Sequence, residues 1–188
     1  MTEMHTAHVD PDPAIAENND FAASVNDFGF RLLDQLVAAR PDETVLVSPF
    51  SIAAALAMTY NGAAGATAAE MAVTLGWQAL DLAAINAGAQ ALIAELLAAD
   101  PAVTLHIANS LWPDNAFALN ADFAARVGSA YAAAVKTISY TDPATAAATI
   151  NGWVAAQTAH MIADLLTPGD LAGAVMALVN ACLLYTSD

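Results

Sequence analysis

The chain has 188 residues, 58% of them hydrophobic and 12% charged, a composition that buries a substantial core and excludes an intrinsically disordered polypeptide. Four basic residues against 19 acidic ones leave a net charge of −15, which repels phosphate backbones and anionic surfaces and so argues against nucleic acid, heparin-like polyanions and membranes as partners. The single cysteine, Cys182, excludes an internal disulfide.

From the start, Met1 to Asn19 is polar, acidic and proline-bearing. It lacks the basic start and apolar centre of a secretory leader, so the sequence as written reads as cytoplasmic and residues 1–17 as a flexible acidic tail. His5, His8, Asp10 and Asp12 supply metal-ligand types there, but nothing orients them and no metal site is assigned. Phe21, Val25, Phe28, Leu32 and Leu36 then recur at intervals of three and four, a helical stripe that Arg40-Pro41 ends. Glu17, Asp20, Asp27 and Asp34 form its solvated face.

Val45 to Val47 reads as a short strand. Ser48 caps a helix over 49–61 whose first residue is proline, where no backbone N–H is needed. Gly62 and Gly65 mark a turn, Thr67-x-x-Glu70 has the spacing of a capping box for a helix over 68–75, and Gly76 stops that helix. Trp77 follows as a packing anchor. Ala83 to Ala98 is a further helix, with Ile85, Ala89, Leu92, Ile93 and Leu96 on one side, closed by Asp100-Pro101.

At Val103 the period becomes two. Val103, Leu105, Ile107, Asn109 and Leu111 take one face of a strand, and Thr104, His106, Ala108, Ser110 and Trp112 the other, until Pro113-Asp114. Asn120 caps a helix running to Tyr131, and Val135 to Tyr140 reads as a second long strand. Asp142-Pro143 opens a helix bearing Ala146, Ile150, Trp153 and Val154, and Thr167-Pro168-Gly169-Asp170 is a turn. The last strand runs from Val175 to about Leu184; the apolar run containing it is too short to span a bilayer and includes Asn180. Helices between strands imply a mixed α and β architecture around a central sheet.

The block Val45-Leu-Val-Ser48-Pro49-Phe50-Ser51-Ile52, followed by Asn61-Gly62, Gly65, Thr67 and Glu70-Met71, resembles the serpin signature. Four further blocks carry the resemblance: Asn19-Asp20-Phe21 with Phe28 and Leu32; Ile107-Ala-Asn-Ser-Leu-Trp112; Ile150-Asn151-Gly152-Trp153-Val154 with Thr158; and Leu178-Val179-Asn180-Ala181. What it implies is a truncated α+β serpin-like fold, with front helices packed on part of a large central mixed sheet. Residues 18–181 would be the N-terminal half of one such domain, from a bacterial or metagenomic source. Cys182 to Asp188 departs from the family pattern and reads as translated adapter sequence.

The resemblance also implies a function: a single-use inhibitor of serine or cysteine proteases, whose bait loop is cleaved and inserts into the central sheet. It implies no catalytic residue, no cofactor, a target protease as partner, a monomer when full length and, often, an extracellular setting. The bait loop and its reactive bond lie beyond position 188 in the family pattern. Asn180, an amide inside an apolar strand, needs hydrogen-bond partners because an orphan there costs roughly 1–3 kcal/mol. By resemblance Ser48 and Ser51 lie beneath it, forming with it the polar cluster where the sheet opens. Asn151, Trp153 and Thr158 would belong to the helix crossing the sheet.

Two other readings stand beside this one. A non-inhibitory serpin-fold binding or chaperone protein would share every block above. A hydrolase could draw on Ser48 or Ser51 with His106 and Asp114, but no Gly-x-Ser-x-Gly elbow is present and both serines are accounted for as helix-start groups. Trp77, Trp112 and Trp153 follow element patterns and read as packing residues rather than a ligand stack.

Overall fold

The computed structural model describes residues 20–100 and 102–186. The acidic tail, its histidines and Glu17 lie outside the described residues, as do Ser187 and Asp188. Helix α1, Asp20–Ala39, buries the predicted stripe of Phe21, Val25 and Phe28 and keeps Asp20, Asp27 and Asp34 in solvent. Helix α2, Pro49–Tyr60, begins at the Ser48 cap, whose hydroxyl accepts from the Ser51 amide. Its alanines Ala53, Ala54 and Ala57, with Met58, are buried, so small side chains let neighbouring helices close in. Gly29 of α1 permits one such approach: a Cβ there would sit 2.5 Å from Pro49 Cγ.

Helix α3, Gly65–Leu75, stops at Gly76, which takes the left-handed conformation with φ 77°. The expected capping box at Thr67 and Glu70 does not form. The helix begins earlier, with Ala64 at the cap position and its carbonyl already accepting from Ala68, so Thr67 lies inside the first turn. Residues 45–47 do not form the expected strand. A strand needs a neighbour, and none pairs with them among the described residues; Leu46 is left 96% exposed. Helix α4, Leu82–Ala98, is capped by the Asp81 carboxylate and packs Gly88 against Phe21 of α1.

Strand β1, Val103–Pro113, is the spine of a three-stranded sheet of order β2-β1-β3. Helix α5, Ala121–Tyr131, capped by Asn120, leads into β2, Ala134–Val135, parallel to β1. The expected long strand over 135–140 is thus reduced to two residues and an isolated bridge between Asp114 and Ile138. Backbone bonds from Lys136 to the Leu111 carbonyl, from Ile138 to the Pro113 carbonyl and from Asn115 to the Ile138 carbonyl carry the pairing as far as Ile138, and it ends there because the partner chain turns at Asp114, whose carboxylate accepts from the Ala116 amide. Helix α6, Pro143–Gln157, a short 3-10 turn at Pro168–Leu171 and strand β3, Met176–Thr186, complete the described chain. β3 is antiparallel to β1 along its whole length, from Val103 opposite Thr186 to Pro113 opposite Met176. Cys182 to Thr186 are therefore ladder residues whatever their origin.

Side-chain alternation on β1 assigns its two faces to two cores. Leu111, Ile107 and Leu178 meet α1, α2, α4 and α5 on one face. Ala108, Trp112, Val179 and Ala181 meet α6 and the loop around Leu166 on the other. The result is the expected α+β arrangement, helices on part of a mixed sheet.

Candidate functional site

Asn109 and Asn180 stand directly opposite one another on β1 and β3. They share the face of Leu111 and Leu178, towards the front helices. Asn180 Nδ2 donates to Asn109 Oδ1 at 2.7 Å, and Asn109 Nδ2 donates to the Tyr131 carbonyl at 2.8 Å. That carbonyl is the last of α5, a group with no partner within its own helix. Ala132 ends α5 in the left-handed region, with φ 50°.

Further polar contacts extend from the other end of Tyr131. Its hydroxyl donates to Asn86 Oδ1 at 2.8 Å, and Asn86 and Asn61 exchange amide hydrogen bonds at 3.0 and 2.8 Å. Asn61 also donates to the Ala57 carbonyl, and Arg126 donates to the Asn61 carbonyl at 3.3 Å. Tyr131 is fully buried, and burial pushes its phenol far above the ordinary value of 10.0. Of these groups only Asn180 was expected from sequence. Asn109 and Asn86, each an amide within an apolar run, carry the same signal.

Ser48 and Ser51 sit at the start of α2, which packs on β3. Helix and strand are brought together as expected, but the hydrogen bonding differs. Ser48 Oγ donates to Ser51 Oγ at 3.0 Å, while Asn180 has its partner in Asn109. Direct cross-strand opposition explains this, because two amides held by the ladder meet without any help from the helix.

On the other face, α6 lies over the sheet. Trp153 packs edge-on against Trp112, ring centroids 5.9 Å apart. Asn151 clamps Leu166 at both backbone groups, donating to its carbonyl at 2.8 Å and accepting from its amide at 2.9 Å. Thr158 is buried; its hydroxyl donates to the Val154 carbonyl and accepts from the Ile162 amide. It thereby holds a helix end that continues through two left-handed residues, Ala159 and His160.

The hydrolase constellation is not assembled. His106 and Asp114 are eight residues apart along an extended strand, roughly 26 Å, and Asp114 spends its oxygens on the Ala116 and Tyr140 amides. His106 stacks on Tyr185, and its Nε2 is buried without a hydrogen-bond partner among the described residues. Trp77 stacks on Phe21 and donates to Ser24, and Trp112 donates to Ser110, which places both in packing roles. Among the described residues no group of three His, Cys, Asp or Glu could hold a metal ion, and no helix is long and apolar enough to cross a membrane.

Residues 23–186 match the serpin family, described as serine protease inhibitor. Leukocyte elastase inhibitor of Bos taurus is 33% identical over 156 residues, covering 82% of this chain and 41% of that protein. Corticosteroid-binding globulin of Pongo abelii is 35% identical over 161 residues, covering 84% of this chain and 40% of that protein. Reactive loop cleaved human thyroxine binding globulin superposes with a TM-score of 0.77 at 29% identity, over 87% of this chain and 49% of its own. The chain thus spans about two fifths of the length of these curated relatives. With its ordered sequence blocks, its helices on both faces of a mixed sheet and this family match, the chain belongs to the serpin family.

Proposed function

We propose that the protein of which this chain is the N-terminal half inhibits serine or cysteine proteases by bait-loop cleavage and strand insertion into the central sheet. The observation that carries the reading is the Asn109–Asn180 amide pair between β1 and β3, on a strand that packs against the Ser48 and Ser51 helix. A polar seam whose hydrogen bonds exchange partners suits a sheet that opens better than an apolar seam. The family description and the name of the bovine relative point the same way. The reading makes the full-length protein a non-enzyme whose partner is the target protease and which acts as a monomer; the sequence as written reads as cytoplasmic, while the resemblance points to an extracellular setting. It needs no cofactor, and the 188 residues alone would not inhibit.

The net charge of −15 argues against a polyanion partner. The named relatives are animal proteins, so a bacterial or metagenomic source rests on the sequence reading alone.

A second reading, a binding protein without inhibitory action, is favoured by the two binding globulins among the relatives. Incubation of the full-length protein with trypsin, chymotrypsin and subtilisin separates the two. A heat-stable covalent complex formed with stoichiometric loss of inhibitor is expected. Cleavage of the loop by all three enzymes, without any complex, would establish the binding reading instead.

A further inference from the structure

We infer that Tyr131 is a positioning residue that couples the Asn109–Asn180 pair to the front helices, so that loss or movement of the Asn180 amide is felt at the end of α2 and in the first turns of α4. Its carbonyl accepts a hydrogen bond from Asn109, which in turn accepts one from Asn180. Its hydroxyl donates a hydrogen bond to Asn86, which is paired with Asn61. One residue is therefore held from both ends by two different layers of the fold.

Burial is what makes the connection mechanical. Tyr131 is 0% exposed, Asn109 3% and Asn61 5%, so water has little access to replace a bond that is lost. If Asn180 withdraws, Asn109 Oδ1 is left without its recorded donor, and a buried polar group seeks a new partner by moving. Rotation of the Asn109 amide takes its N–H from the Tyr131 carbonyl, and displacement of Tyr131 takes the phenolic proton from Asn86. The far end surfaces in a cleft of about 400 Å³ between α4 and α5, lined by Asn86, Gln90, Arg126 and Ser129. A change at the Asn109–Asn180 pair thus alters the cleft between α4 and α5, and by linkage a change in the cleft alters the pair. The inference does not depend on inhibitory activity.

Hydrogen exchange of the 188-residue chain, read by mass spectrometry at dilute concentration, tests it. Asn180→Ala is expected to speed exchange roughly threefold at amides 57–61 and 84–89, the size of effect common for residues in a coupled network. In a Tyr131→Phe background, which keeps the ring and the carbonyl, Asn180→Ala is expected to add nothing at those amides. An equal increment in both backgrounds, or none in either, overturns the inference. Should Asn180→Ala fail to fold, the reciprocal experiment decides. Asn86→Ala is expected to speed exchange at 107–111 and 178–182 only while Tyr131 is present, and strands unaffected by Asn86→Ala overturn the coupling.

Discussion

Asn109 serves two partners at once, accepting from Asn180 and donating to Tyr131. Asn109→Ala removes both contacts and leaves the Tyr131 carbonyl without this donor in a buried site. We expect a loss of roughly 1–3 kcal/mol, read as a lower urea midpoint at unchanged slope. Tyr131 itself predicts an alkaline limit. Its folded pKa lies above its unfolded value of 10.0 because burial disfavours the phenolate, so the folded state binds a proton the unfolded state releases. Stability from this group is complete below pH 10 and falls as pH rises beyond it. Tyr131→Phe should flatten that fall, which chemical denaturation between pH 9 and 11 would show. The acid side belongs to Asp142 and Asp170, which hydrogen bonds from Thr145 and Thr167 hold below the ordinary aspartate value of 3.8. Their contribution is present above that value and is lost as pH falls through the lower folded pKa. Asp142→Asn should therefore flatten the acid limb, which chemical denaturation between about pH 2 and 5 would show.

At the scale of elements, two helix crossings are closed by missing side chains. A Cβ on Gly29 would meet Pro49 at 2.5 Å, and one on Gly88 would meet Phe21 Cβ at the same distance. Both glycines lie in helices, where alanine is otherwise favoured. Gly29→Ala and Gly88→Ala should each destabilise by about 1–3 kcal/mol, through overpacking that outweighs the propensity gain, and thermal melts would rank them. Neither crossing was legible in the sequence, because a helical glycine announces a cost without naming the neighbour that requires it. Local chemistry was legible: Ser48, Asp81, Asn120 and Asp142 all cap helices, with Asp81 the one among them not foreseen. Elements whose existence depends on a distant partner were the ones misread. The strands expected at 45–47 and 135–140 have suitable β-branched residues, but a strand forms only where a neighbouring ladder accepts it.

For the whole molecule, the open question is the outer edge of the sheet. β3 presents eleven residues with no partner on that side among the described residues, and Met176, Leu184 and Tyr185 expose apolar side chains along it. Such an edge is a template for pairing with further chains, so the 188-residue chain should associate as its concentration rises. Leu184→Lys, at a site 64% exposed, should lower light scattering without lowering the thermal midpoint; unchanged scattering would mean that association does not run through this edge. The candidate site was half legible at this scale. Asn180 declared itself, because a polar amide in an apolar strand must be satisfied. Its partner was expected in Ser48 and Ser51 and proved to be Asn109, seventy-one residues away. The positions of the helices, the caps at Ser48, Asn120 and Asp142, the alternation of β1 and the family follow from residues within a few positions of one another. Which strand has a neighbour, which glycine touches a helix and which amide answers Asn180 depend on the packed fold, because each is a contact between segments that periodicity cannot bring into register.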